Sequence, residues 1–441
     1  MGNKKTTALS GAVLAGVMLA LSACGGGGGG ATGEVAAPPA DPKEVSGEIK
    51  VLTQRTDLVQ NGTLRKYAAE FNKTYPKVKV TFDGITDYEG EVKIRMNTRE
   101  YGDVLFIPGA VAKNDYPTFF APLGTTAELS KYRFSDKTEV DGKVYGIAQF
   151  GTANGFVYNK RLWERAGVTA WPKTTEEFLA GLEAVKEKTG ATPYYTNFKD
   201  GWPLVQWTNN LGVVGCDAQA GNALAGAVSP WKPGSELNAT DGLLYEIVKR
   251  GLSEKDPTTT NWETSKALLG EGRIATMMLG SWSITQMQDA AKRAGGSADD
   301  IGFMPFPVQK DGKHCAALVS DYQQAVSVHS HNKPAARAWV DWFTEKSGFA
   351  EKEGVVSAVK SAPMPATLKD FVDNDVTFFD RSEAKTAAVN DIDEAAEIGL
   401  NKQDYRQKLI DTARGVAKGS LDDFFADLDK RWDEAAKTAG S

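Results

Sequence analysis

Residues 48–82 carry the pattern that most limits the fold of this chain. Residues 48–53 suit a short strand. Over 63–74, Leu64, Tyr67, Ala68 and Phe71 fall at i, i+3, i+4 and i+7, one face of a helix. Pro76 stops that helix, and Val78, Val80 and Phe82 then alternate as in a second strand. A strand, an amphipathic helix and a strand in close succession predict a parallel pair with a right-handed crossover. Parallel sheets need helices over their faces, so the unit points to an α/β architecture.

The same style continues. A helix is expected over 88–98, then the apolar run 103–107, which suits a buried parallel strand. Asp141-Gly142 and Asp311-Gly312 sit where two-residue hairpin turns belong. Residues 156–158 and 273–279 read as strands. Residues 174–188 read as a helix opened by a capping box of Thr174 and Glu177. A helix over 334–346 has Ala336, Trp339, Val340 and Phe343 on one face. The last helix takes Ser420 as N-cap and stripes Leu421, Phe424, Phe425, Leu428 and Trp432 along its core side. Residues 47–441 are too many for one compact core, so two lobes are expected.

The N-terminus is built differently. Lys4 and Lys5 precede a small and apolar stretch over 8–21, too short to span a bilayer, as in a secretory signal. It ends in Leu21-Ser22-Ala23-Cys24, which resembles the lipobox of bacterial lipoproteins. The resemblance implies a signal peptide over 1–23 and a lipidated Cys24. The protein would then be held by lipid on the extracytoplasmic face of the cell membrane. Gly25 to Gly30 are consecutive glycines, and Ala, Pro and acidic residues follow, so 24–46 reads as a flexible tether with a reach of roughly 25 Å.

Charge and composition exclude several classes. The net charge is −6 and no basic stretch is interleaved with aromatics, so no nucleic-acid partner is expected. The only histidines are His314, His329 and His331, too few for a His-rich metal site, and His329 and His331 have no Cys, Asp or Glu completing a ligand set nearby. No cofactor is expected. Asp422, Asp423, Asp427 and Asp429 read as the solvated face of the last helix rather than an acid–base pair. With Cys24 set aside, Cys216 and Cys315 remain. In an oxidising compartment two readings stay open, a disulfide or two buried thiols.

Several blocks, in order, resemble the extracellular solute-binding proteins of ABC transporters, in the group whose characterised members mostly bind carbohydrates. The most specific are Lys143-Val144-Tyr145-Gly146-Ile147-Ala148, Tyr158-Asn159-Lys160 with Leu162-Trp163-Glu164-Arg165-Ala166-Gly167, and Trp171-Pro172-Lys173-Thr174 with Phe178. Ala148, Trp163 and Thr175 replace the usual Pro, Phe and Trp. Gly280-Ser281-Trp282 and Pro305-Phe306-Pro307 continue the likeness. The resemblance implies a two-lobed, periplasmic-binding-protein-like fold with a hinge and an interlobe ligand cleft. Lobe one would hold 47–148 and 321–365, and lobe two 149–320 and 366–441. It implies no catalysis, a carbohydrate ligand, a permease partner and a monomer.

A sugar needs aromatic platforms for its C–H face and polar groups for its hydroxyls. Arg55 and Asp57 follow the first strand and suit hydroxyls, or else pair with each other. Gln149 is a ligand contact or a satisfied hinge residue. Trp202, beside Gly201 and Pro203, is the better platform in its segment; Trp207 shares an i, i+3, i+7 stripe with Leu204 and Leu211 and competes with core. Trp282 ends a strand, and Asp321 and Tyr322 fall at the second hinge crossing. Two other readings stay open. A non-sugar solute would need converging acids, tyrosines or cations. An exported glycan-active enzyme would need paired carboxylates, for which Asp57 and Asp321 are the candidates.

Overall fold

The computed structural model describes residues 36–37 and 41–439. Cys24, the signal segment and most of the tether lie outside them. The tether expected over 24–46 is shorter at its C-terminal end. Ala36 is buried, its N–H donating to the Pro122 carbonyl and its own carbonyl accepting from Arg337, and Val45 is buried as well.

Among the described residues two sheets organise the molecule. In the first, Ser46–Thr53 pairs in parallel with Lys77–Gly84 over eight residues and with Val104–Phe106 at Val51. Gln323–Ser327 then pairs antiparallel with Val104–Phe106, and both Phe120–Ala121 and Ile147–Ala148 pair with Gln323–Ser327. The helix Thr63–Thr74 is the crossover between the parallel pair and buries the predicted Leu64, Tyr67, Ala68 and Phe71. The helix Lys333–Glu345 covers the same face. Trp339 meets Phe71 and Phe82 edge-on, at 5.3 and 5.5 Å between ring centroids. The helix Tyr88–Arg95 covers the opposite face, where Tyr88 and Val92 pack with Leu52 and Leu105.

The second sheet is built on Gly151–Asn159, which takes Thr276–Gly280, Ile301–Met304 and Lys313–Ser320 as antiparallel neighbours. Thr377–Asp380 adds in parallel to Lys313–Ser320. The largest cluster of the core lies here, between this sheet and the helices Thr175–Thr189, Glu236–Lys249, Gln403–Ala413 and Leu421–Ala439. A disulfide joins Cys216 to Cys315 within this lobe, closing a loop with a sequence separation of 99 residues.

The chain passes between the sheets where Ile147–Ala148 gives way to Gly151–Asn159 and where Lys313–Ser320 gives way to Gln323–Ser327. It passes again after Phe349–Glu353, where Val356 bridges to Gly151 and Leu368 and Phe371 join the second lobe's core. Asp141 and Gly142 both have positive φ, 50° and 77°, the pair of values that a tight turn between Glu139–Val140 and Lys143–Val144 requires.

Candidate functional site

The carboxyl ends of the first lobe's strands point at the second lobe, and the hinge crossings form a floor between them. Parallel α/β sheets place ligand-binding loops at such ends. A cavity of about 630 Å³ opens here. Glu89, Pro108 and Asn114 line it from the first lobe, Asp321, Tyr322 and Gln323 from the floor, and Asn209, Arg381 and Asn401 from the second lobe.

Asp321 is held by its backbone, whose N–H donates to the Phe150 carbonyl at 3.0 Å. Burial pushes its carboxyl up to about 6, against the opposing pull of the Lys137 and Arg55 cations. Tyr322 lies against Phe106 and Tyr88, at 5.4 and 5.9 Å between ring centroids. Burial raises the Glu89 carboxyl too, although it accepts from the Gly109 N–H at 2.8 Å. Buried carboxyls above their ordinary range are hydrogen-bonding groups that ligand hydroxyls can meet without a full desolvation penalty.

On the Arg55 side the chemistry is ionic. Arg55 grips Asp57 with two hydrogen bonds, Nε to Oδ1 at 2.9 Å and Nη2 to Oδ2 at 2.8 Å, and reaches Glu353 through Nη1 at 2.9 Å. The Arg55 hydrogen bonds hold the Asp57 carboxyl below its ordinary range. Asp57 therefore has its orientation fixed, with lone pairs left over for a further donor.

Three tryptophans form an aromatic group of their own. Trp202 and Trp262 meet nearly perpendicular at 5.2 Å, and Trp282 lies 5.9 Å from Trp202 and 5.6 Å from Trp262. Trp282 packs partly on the apolar clusters of both lobes. Its indole fits only because residue 280 is glycine: a Cβ there would come within 2.6 Å of the Trp282 Nε1 and 2.7 Å of the Thr152 Oγ1. All three rings are half-buried, which leaves edges and faces for a partner.

At the end of the first strand and along the hinge crossings and the strand that follows lie buried amides with no hydrogen-bond partner among the described residues. They are the Oε1 atoms of Gln54 and Gln149 and both ends of Asn154 and Gln323. A buried polar group left unpaired costs about 1–3 kcal/mol, and of these amides Gln323 lines the cavity, where an entering donor or acceptor can reach it.

The sequence candidates separate accordingly. Asp321 and Tyr322 line the cavity. Arg55, Asp57, Trp202 and Trp282 are not among the residues lining it; of the four, Arg55 reaches the floor through its charge on Asp321. Gln149 is buried, donating its backbone N–H to the Tyr322 carbonyl. Trp207 is a correction: it is 0% exposed and belongs to the second lobe's core, edge-on to Phe156 at 5.8 Å and to Tyr194 at 6.1 Å. Its place on a stripe with Leu204 and Leu211 decided the matter, because a helical turn wedged between sheet and helices buries that whole stripe. Sequence reasoning missed Glu89, Trp262 and Arg381. Glu89 opens the helix after the second strand, so the carboxyl-end rule, applied beyond the first strand, would have found it.

Comparison with known proteins gives the family. The model of the bacterial extracellular solute-binding proteins matches residues 56–348. This chain belongs to that family. Two solved structures from Bifidobacterium animalis subsp. lactis ATCC 27673 match almost end to end. One is a manno-oligosaccharide specific solute-binding protein in complex with mannotriose. It is 30% identical, with a TM-score of 0.83 over 92% of this chain and 99% of that one. The other is the binding protein of an ABC transporter in complex with mannobiose, 32% identical, with a TM-score of 0.82 over 93% and 100%. The multiple sugar-binding protein of Streptococcus mutans is 23% identical over 68% of this chain and 72% of its own.

Proposed function

We propose that this chain captures a manno-oligosaccharide between its lobes and delivers it to the permease of an ABC importer, acting as a binding protein and not as an enzyme. The observation that carries the reading is the likeness, over 92–93% of the chain, to two proteins solved with mannotriose and mannobiose. The site supports it. Trp202, Trp262 and Trp282 supply apolar platforms for sugar C–H faces. Asp57, Asp321 and Glu89 accept hydroxyl hydrogens, and the buried amides do either. Asp57 and Asp321 serve as ligand acceptors here, with Asp57 already tied to Arg55, rather than as an acid–base pair. Closure of the lobes would dry the cleft and strengthen each of these bonds.

The anchoring reading belongs to the same proposal: a lipid on Cys24 keeps the protein at the membrane, with the segment after it as a leash. Cys24→Ser should release the protein from membranes or leave it unprocessed. Mature, membrane-held Cys24→Ser protein would remove the anchor from the proposal.

The ligand is tested by melting the purified protein with mannobiose, mannotriose, maltotriose and raffinose. Cognate sugar at 100 times its dissociation constant should add about 2.7 kcal/mol of stability. Stabilisation by maltotriose or raffinose but by neither mannoside would move the assignment to another sugar. Release of shorter products on long incubation would make the protein an enzyme.

A further inference from the structure

A second cavity, of about 450 Å³, lies at the far end of the second lobe. That volume is within the range of about 300–1,000 Å³ typical of small-molecule sites. It is well separated from the cleft. Tyr158, in its wall, is seven residues along the strand from Gly151 at the hinge, a rise of about 23 Å at about 3.3 Å per residue.

Its lining is a built one. Gly302 leaves no room for a side chain, because a Cβ would strike the Tyr158 ring and come within 2.8 Å of the Lys160 Cε. The absence of that side chain lets the tyrosine and the lysine stem lie flat along the wall. Trp171 stands half-exposed, edge-on to Phe371 at 5.4 Å and to His314 at 6.3 Å. Asp370 faces Lys160 at 3.5 Å, a loose pair that leaves both groups free for another partner.

His314 fixes the chemistry. It is 7% exposed and lines the cavity. Its Nδ1 lies 3.3 Å from the Phe306 carbonyl and 3.1 Å from the Val308 carbonyl. Carbonyls only accept, so Nδ1 carries the proton and Nε2 is left as a bare acceptor. No hydrogen bond is made by Nε2 within the described residues. Burial holds the imidazole below its ordinary pKa, which keeps this tautomer neutral near pH 7. Two cations, Lys160 and Lys173, balance two anions, Glu164 and Asp370, so the lining favours no net charge in its occupant. Among the described residues no group of three or more His, Cys, Asp or Glu side chains converges to hold a metal.

We infer that this cavity is a second carbohydrate site, which takes a neutral mono- or disaccharide with its C–H face on Trp171 and Tyr158. His314 Nε2 and Asp370 accept its hydroxyl hydrogens, and Lys160 and Lys173 donate to its oxygens. The inference does not rest on the cleft reading, since none of these residues touches the cleft.

The test is fluorine NMR on the purified protein labelled with 5-fluorotryptophan and titrated with mannobiose. The Trp171 and Trp282 resonances are assigned by Trp171→Phe and Trp282→Phe. The Trp171 signal should move and saturate with its own, weaker midpoint. That midpoint should persist in Trp282→Ala. It should rise by about tenfold or more in Asp370→Ala, which removes a charged acceptor. Asp370 is exposed and remote from the hinge, so folding and the Trp282 midpoint should stay unchanged; Lys160→Met repeats the test from the donor side. A Trp171 signal that stays still, or drifts without saturating, overturns the second site. So does saturation that Asp370→Ala and Lys160→Met both leave untouched. A still Trp282 signal beside a saturating Trp171 signal would count against the cleft reading alone.

Discussion

Arg406 and Arg55 hold carboxylates at nearly the same distance, 2.9 Å to Asp241 and 2.8 Å to Asp57, in opposite surroundings. Arg406 and Asp241 have 0% of their side chains exposed, deep in the second lobe. Tyr405 and the Trp231 indole also donate to Asp241, and Arg406 donates to the Thr208 hydroxyl and the Leu400 carbonyl, both at the cleft wall. Arg55 and Asp57 are 30% and 58% exposed at the interlobe face. Burial removes the competition of water, so the first pair is bound to the fold and cannot be broken cheaply. Exposure keeps the second pair replaceable, which is what a ligand contact requires. One ion pair braces the wall of the cavity from behind; the other, on the proposed reading, offers its carboxylate to the ligand.

The comparison breaks if removing the buried partner is tolerated. Arg406→Leu or Asp241→Ala should each lose about 3–5 kcal/mol of stability by urea unfolding, because a buried charge is left uncompensated. Combining Arg406→Leu with Asp241→Leu should recover a large part of that loss. Single changes that cost less than about 1 kcal/mol would show that water reaches the pair.

The tryptophans sharpen the same contrast. Trp207→Ala should cost about 3–5 kcal/mol of stability by opening a cavity among Phe156, Tyr194 and Phe306. Trp282→Ala should instead cost about 2 kcal/mol or more of sugar affinity by calorimetry, with a smaller loss of stability. The reverse pattern would exchange the roles of the two residues.

Asp321 tests the floor through pH. Its folded pKa of about 6 lies above the ordinary 3.8, so folding favours its protonated form. That contribution is complete below the unfolded pKa and is lost as pH rises through about 6. Asp321→Asn is neutral at every pH. It should remove this decline between about pH 4 and pH 6 and leave the ligand-free protein more stable at pH 7. An unchanged pH–stability curve would place Asp321 in free contact with solvent.

The smallest stability effect belongs to Arg55. Arg55→Ala should change unfolding free energy by no more than about 1 kcal/mol, while sugar affinity falls because Asp57 loses its fixed orientation. A large loss of stability would make Arg55 a second brace like Arg406.

Much of this was legible in order along the chain. The helix Thr63–Thr74 buries the four residues its period predicted, and both Asp-Gly turns lie between the strands expected of them. Periodicity and turn chemistry are local, so a sequence displays them directly. The site was less legible. Asp321 and Tyr322 were readable from their place at a chain crossing, and the stripe with Leu204 and Leu211 already hinted that Trp207 is core, but sequence could not decide between ligand and core for it or for Trp282. One sits under a sheet and helices, and the other lies over a glycine between two lobes.

Sequence alone determined the α/β class, many of the strands and helices in their order, and the solute-binding family that those blocks resemble, because each depends on residues close together in the chain. Tertiary structure alone decided which aromatics remain open, which arginine is sealed in, and that Cys216 meets Cys315. Exposure, unpaired amides and the shift at Asp321 arise where segments distant in sequence converge. They are properties of desolvation, and desolvation is set by neighbours in space.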